Sequence, residues 1–277
     1  SVGGKICYTE DITFSSSRLL NKFSDVYSQE QKTFIQKIVQ KHSFDLIKLK
    51  VDELQNLKVL IVGETIIDQY VFCEALGKSG KEPVLVLRDL ETQQYLGGVL
   101  AIARHLSAFC NTVSVLSFLG SEKEQKTFIE ANIEKNIQLN FLTKRESPTI
   151  IKRRFLDQVD SKKVLGVYSI NDDPLNKRDE INFLEKLDKL VAEHDLVIVS
   201  DYGHGIITSQ VAEYISNSKK FVSLNAQVNA ANIGIHNIRK YHNINSLIIN
   251  STELCHEMRQ REGELVSLAS NLKEIVA

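Results

Sequence analysis

Five short apolar runs set what this chain can fold into. They are VLIVG (59–63), TVSVLSFLG (112–120), DLVIVSDYG (195–203), KFVSLN (220–225) and SLIIN (246–250), and each closes on Gly, Asp or Asn. Continuous apolar runs suit strands buried on both faces, as in a parallel sheet. They alternate with amphipathic stretches at 98–109, 122–135, 178–193, 208–216 and 251–260. That alternation predicts an α/β fold with a doubly wound, mostly parallel sheet. A second set breaks the rhythm: VLVLRDL (84–90), TIIKRRFLD (149–157) and KVLGVYSI (163–170) alternate polar and apolar residues without helices between them. Half-exposed antiparallel strands have this pattern. They are expected to form a small sheet standing off the main one, as a lid over a site or as a dimer surface.

The first part of the chain, 1–56, reads as helical. One helix can start at the serines of 14–23, and a second carries Phe34, Ile35, Ile38 and Val39 at helical spacing. Stretches 45–50 and 51–57 are ambiguous. The expected organisation is a helical segment over 1–56 and an α/β domain over 57–277. The chain opens on Ser1 with VGGKICYTEDITFSSSRLL and no preceding strand, and closes at LKEIVA inside a helical pattern. A fragment of a longer protein is therefore expected.

Composition removes several classes. With 43% hydrophobic and 25% charged residues the chain is not disordered, and 34 Lys+Arg against 35 Asp+Glu leave no basic nucleic-acid footprint. No apolar stretch nears the roughly 18 residues of a membrane span. Cys7, Cys73, Cys110 and Cys255 form no CxxC pair, so a reduced, cytoplasmic chain is expected.

In an open parallel sheet, ligands gather at the carboxyl ends of the strands, where helix N-termini and loop amides converge. Gly63, Glu64 and Asp68 in GETIID offer a tight turn and two carboxylates to a polyol, although Asp68 taken by itself reads better as capping or solvating a turn. Gly97 and Gly98 open a helix, admitting a ligand to bare amides or simply suiting packing. Lys152 and Arg154 share a face of one strand. They suit a phosphorylated or acidic substrate, or with Lys144, Arg145 and Arg153 a solvated basic surface. Asp201 and Tyr202 run into GHG, where Asp201 could hold a substrate hydroxyl or a metal-bound water. His204 reads as a base or as a loop residue with a structural hydrogen bond. Asn225 closes FVSLN. Asn250 and Glu253 form N-x-x-E, either a helix cap with Glu at N3 or a carboxylate reaching Mg²⁺ through water beside nucleotide phosphates. His42 and His194 follow charged helix residues and are expected to be solvated. No Walker loop, nucleophile elbow, dinucleotide fingerprint or zinc spacing is present.

Read in order, VLIVGETIIDQY, KEPVLVL, YLGGVLAIARHL, VSVLSFLG, PTIIKRRFL, LVIVSDYGHGI and IINSTE resemble the PfkB/ribokinase-like sugar kinases. The nearest likeness is to heptose-phosphate kinases of surface-polysaccharide precursor synthesis and to their relatives fused to a nucleotidyltransferase. The resemblance runs from about Lys58 to the end and rests on order and spacing. It implies a ribokinase-like fold and ATP-dependent phosphoryl transfer to a sugar or sugar phosphate with Mg²⁺. A homodimer through the lid is also implied. Asp68, Gly97 and Gly98 fall in its sugar-contacting motifs, Lys152 and Arg154 would face a sugar phosphate, and Asn250 and Glu253 would organise magnesium and phosphates. Three departures stand out. Glu64 replaces the usual aspartate, and Ala101 stands where a sugar-binding asparagine is usual. The G-A-G-D motif, which supplies the anion hole and catalytic base, does not occur before Ala277. No catalytic base is therefore expected within the chain, and the alternative is an inactive kinase-fold domain that binds sugar phosphate or acts as a scaffold. FSSSRLL (14–20) resembles the ISST-type motif late in nucleotidyltransferase domains, or is a serine-rich helix cap. An HxGH motif is missing.

Overall fold

The computed structural model describes residues 27–227, 236–260 and 263–276. The expected helix at 14–23 and the FSSSRLL stretch lie outside the described residues. The chain divides into two compact units, Ser1–Asp52 and Glu53–Ala277.

In the first unit, α1 (Gln29–Lys41) starts at Ser28, whose Oγ accepts from Gln31 N while Ser28 N donates to Gln31 Oε1. This capping box satisfies two of the free N-terminal amides. The ambiguous stretches after it become α2 (Phe44–Glu53) and a 3₁₀ turn at Leu54–Asn56. Neither helix buries a residue.

The second unit is built on a six-stranded sheet of order β10-β9-β8-β1-β4-β5, every pair parallel. Its strands are β1 (Lys58–Gly63), β4 (Thr112–Glu122), β5 (Ile137–Pro148), β8 (Leu196–Asp201), β9 (Phe221–Ala226) and β10 (Ser246–Ile248). The β1 run is fully apolar because it is covered twice. Val59 and Ile61 pack toward Leu100 and Ala103 of α3 (Val99–Leu106) and Ile129 of α4 (Lys126–Asn132). Leu60 and Val62 belong to the opposite core, with Phe183 and Leu187 of α5 (Lys177–Glu193) and Val211 and Ile215 of α6 (Ser209–Ser216). Phe183 stacks on Phe118 at 5.3 Å. Two more helices, α7 (Ser251–Glu257) and α8 (Leu265–Val276), follow β10.

The strands beside β1 are β8 on one side and β4 on the other, so strand order reverses there. A ribbon leaves the sheet at this switch point. β2 (Thr65–Lys78), β3 (Leu85–Gly98), β6 (Ile150–Asp157) and β7 (Lys163–Ser169) form a second sheet of order β3-β2-β6-β7. Two expectations are corrected here. The lid is mixed rather than antiparallel, because β2 and β6 both leave the main sheet in the same direction and pair parallel. The stretch after Glu64 is a strand, so Asp68 lies within β2 rather than in a turn. β5 also went unpredicted, its run of Asn140, Thr143, Lys144 and Arg145 masking a strand at the sheet edge. No helix among the described residues is long and apolar enough to cross a membrane.

Candidate functional site

Register alone assembles the lid's working face. Tyr95, Asp68, Lys152 and Tyr168 stand opposite one another across β3, β2, β6 and β7, and Gln93, Tyr70, Arg154 and Gly166 form the next row. Residues in register across paired strands share a face. Asp68 and Arg154 form an ion pair, and their side chains remain 24% and 20% exposed. The Arg154 guanidinium lies 5.7 Å from the Tyr70 ring and 5.9 Å from that of Tyr168. Lys152 is 8% exposed. Its ammonium lies 5.3 Å from the Tyr202 ring and 6.0 Å from Tyr168, within the range at which a ring face attracts a cation. Burial holds the Lys152 pKa below the usual lysine value, against the pull of Asp68.

Gly97 pairs with Ile66 and lies diagonally from Asp68 across the β2–β3 pair, where an added Cβ would overlap Asp68 Oδ2. Gly98 has φ +56° and an added Cβ would overlap Glu64 O, so both position and conformation demand glycine. Val99 N, the first amide of α3, donates to Glu64 O at 3.1 Å. The glycine pair thus brings β3, α3 and the end of β1 into backbone contact.

Beneath the lid, the ends of β1 and β8 meet in buried carboxylates. Gly63 has φ +149°, and an added Cβ would overlap Ser200 O, so Glu64 sits hard against β8. Its side chain is fully buried and accepts from Tyr202 N at 2.9 Å and His204 N at 3.1 Å. Burial, and then the charge of Asp201, push the Glu64 pKa up to about 7. Asp201 is held the other way. Burial opposes its charge, but the Lys240 ammonium at 2.7 Å and His236 bring it below the usual carboxylate range. It also accepts from Gly203 N at 2.9 Å and Tyr241 OH at 2.6 Å. Glu64 and Asp201 therefore brace the loop and have little capacity left for a ligand hydroxyl, whereas the side chains of Asp68 and Arg154 keep part of their surface in solvent.

The remaining sequence candidates lie toward the other side of the sheet. Asn225 donates from Nδ2 to Ile248 O, joining β9 to β10. Asn250 and Glu253 form a reciprocal cap on α7, Glu253 N to Asn250 Oδ1 at 2.9 Å and Asn250 N to Glu253 Oε2 at 3.2 Å. Mg²⁺ prefers several oxygen ligands in octahedral array. Glu253 is 7% exposed and engaged in capping. Among the described residues no group of three or more His, Cys, Asp or Glu could hold a metal. These residues do not by themselves fit the ion.

His42 is exposed, as expected, but His194 is not solvated. It is 4% exposed and bonded through Nδ1 to Leu190 O and through Nε2 to Ser114 Oγ. Sequence reading missed Lys240, Tyr241, Tyr168, Tyr70 and Asp172. Tyr70 and Tyr168 become visible once β2 and β7 are aligned, whereas Lys240 and Tyr241 sit in an aperiodic stretch with no local signal.

A six-stranded parallel sheet with a mixed lid at its switch point is the ribokinase-like fold. Solved structures carry the same architecture. Ribokinase from Arabidopsis thaliana, complexed with ribose and ATP, aligns at TM-score 0.55 and 17% identity over 80% of this chain and 70% of that one. Ribokinase from Giardia lamblia aligns at TM-score 0.60 and 13% identity over 80% and 71%.

In sequence, the chain is similar to bifunctional HldE proteins and to a D-beta-D-heptose 7-phosphate kinase. It is 30% identical to the bifunctional protein HldE of Helicobacter pylori (strain G27) over 159 residues, 57% of this chain and 34% of that protein. HldE of Campylobacter jejuni (strain RM1221) is 24% identical over 221 residues, 80% of this chain and 45% of that one. The D-beta-D-heptose 7-phosphate kinase of Bordetella bronchiseptica is 26% identical over 160 residues, 56% and 49%. The chain thus spans between about a third and a half of these relatives. No family model matches it.

Proposed function

We propose that this chain carries the acceptor-binding part of an ATP-dependent carbohydrate kinase acting on a sugar phosphate, with a heptose phosphate as the leading candidate. The observation that supports this is the meeting of Asp68, Arg154 and buried Lys152 on one lid face, above the switch point of a parallel sheet. Ligands of open α/β sheets bind at that place. Asp68 would accept hydrogen bonds from sugar hydroxyls, and the Lys152 and Arg154 cations would draw the phosphate under the lid. Tyr70, Tyr168 and Tyr202 would wall the cations from water and so strengthen their pull on the anion. Glu64 and Asp201 would hold the floor rigid.

ATP would be the phosphoryl donor. Such transfer depends on positioning and charge neutralisation, and G-A-G-D is absent from the 277 residues. This chain by itself would therefore bind and orient the acceptor but turn over weakly, since loss of anion-hole donors costs on the order of 10²-fold or more. The same absence favours a second reading, a kinase-fold domain that binds sugar phosphate without catalysis. Pairing of lids in a homodimer and a cytoplasmic location belong to the same proposal.

Titration calorimetry with heptose and hexose phosphates, beside the unphosphorylated sugars, tests the acceptor site. Sugar phosphates are expected to bind, and Lys152→Ala or Arg154→Ala to weaken binding by about tenfold or more. Equal affinity for neutral sugars, or variants that bind like wild type, would refute it. ATP turnover by a chain extended to include G-A-G-D then separates kinase from non-catalytic binder.

A further inference from the structure

The segment that returns the chain from the lid to α5, residues 169–175, is clamped to the ends of two parallel strands. Lys144, in β5, donates from Nζ to Asn171 O at 2.9 Å and Asp173 O at 2.6 Å. On the other side, Leu175 N donates to Gly205 O at 3.1 Å. Gly205 has φ +87° and an added Cβ would overlap Asp173 O, so the loop after β8 and the return segment touch backbone to backbone. Between them His204 Nδ1 lies 2.6 Å from Asp172 Oδ1.

His204 is buried, at 2% exposure. Burial lowers its pKa against the pull of Asp172, which leaves a neutral ring at neutral pH. A carboxylate beside Nδ1 then fixes the tautomer, with Nδ1–H donating to Asp172. Nε2 is buried without a hydrogen-bond partner among the described residues, so Nδ1 is the atom through which the ring holds its neighbour. The backbone of the same residue donates to Glu64. A closed circuit results. Glu64 holds the loop after β8, His204 holds Asp172, and β7 leads back from there to Tyr168. Tyr168 flanks Lys152, and the Lys152 ammonium lies over Tyr202 in the loop where the circuit began.

We infer that His204 is a positioning residue of the acceptor site: through Nδ1 it pins the lid's return segment to the loop after β8 and so keeps Tyr168 beside Lys152. The ligand arm of this inference rests on the acceptor-site reading; the structural arm does not.

Hydrogen exchange on the 277-residue chain, read peptide by peptide, tests the structural arm. In His204→Ala the amides of β7 and of 170–175 should exchange about tenfold faster, as expected for loss of a partly buried hydrogen bond to a charged group. Amides of β1 and β9 should be unchanged. His204→Asn places an amide N–H near the position of Nδ1 and should restore protection, whereas His204→Gln, whose amide reaches toward the Nε2 position, should not. Asp172→Ala, at a side chain 37% exposed, removes the same link without emptying the interior and should match His204→Ala. Unchanged exchange in Asp172→Ala, or an Asn variant as unprotected as Ala, would overturn the inference. In the ligand arm, sugar-phosphate affinity should fall in the Ala variants and recover in Asn. Should exchange respond as expected while wild type binds no sugar phosphate, the acceptor-site reading fails and the positioning role stands.

Discussion

Glu64 shows how much a single residue of this site is asked to do. Its carboxylate has no exposure and lies near Asp201, yet two backbone amides point at it. Burial first, and Asp201 second, raise its pKa from an ordinary 4.5 to about 7. A carboxyl with a raised folded pKa binds its proton more tightly when folded. The stability this lends is complete below the unfolded value and is lost as pH rises through the folded one. For a shift of this size the loss amounts to roughly 3 kcal/mol between about pH 4.5 and about pH 8. Glu64→Gln removes the titration, but its amide nitrogen must face one of the two N–H groups, at a cost of about 1–3 kcal/mol. Denaturant melts across that window should therefore show the variant less stable than wild type near the acid end, with the gap narrowing as pH rises. Parallel stability curves would mean that Glu64 does not titrate there. Asp201 works in the opposite direction, below the ordinary carboxylate range, because Lys240 favours its charged form once burial has been offset.

Among the elements, those buried on both faces were legible from the sequence and those buried on one face less so. The parallel strands named from the sequence announced themselves because apolar residues dominate each run, and in β1 Val59 to Val62 are apolar and buried at every position. The lid strands showed only half of that signal. β2 gave none that could be separated from a turn, since Gly63 and Glu64 precede it and Asp68, Gln69 and Tyr70 interrupt it. The pairing of β2 with β6 was illegible for another reason: parallel register between distant segments leaves no mark in either one. The candidate site follows the same division. Lys152, Arg154 and Asp68 could be named from strand periodicity and resemblance, but their meeting depends on that unpredicted pairing. The hinge between sheet and lid has its own fixture. Ser117, fully buried in β4, donates from Oγ to Gly63 O at 2.6 Å and accepts from Thr65 N at 3.0 Å and Thr65 Oγ1 at 2.8 Å. Ser117→Ala leaves these buried groups unmatched and should cost about 1–3 kcal/mol in urea unfolding. A loss of only a few tenths would show that the β1–β2 corner is held by backbone pairing alone.

For the whole molecule the open question is what the lid meets on its far side. Among the described residues both edges of the four-stranded sheet are unpaired, since β3 and β7 each have one neighbour. The apolar residues they leave in water include Leu85 at 55% and Leu165 at 53% exposure, with Val86, Leu90, Val164 and Val167 beside them. Unpaired edges carrying apolar side chains invite another strand or sheet, and natural proteins usually blunt them with charge or cover them. Arg88 on β3 supplies some charge but is already paired with Glu74. Pairing of two lids would cover these side chains and stiffen the face that carries Lys152 and Arg154, which ties assembly to acceptor binding. Light scattering on the intact chain is expected to give the mass of two chains, and the combined Leu85→Lys and Leu165→Lys variant the mass of one. The lysines enter at positions already in water, so thermal stability of the single chain should change little. A wild-type mass of one chain, or a variant that stays at two, would remove the lid as the interface. In the second case the exposed apolar residues of α1 and α2, among them Phe34, Val39 and Phe44, become the surface to change next.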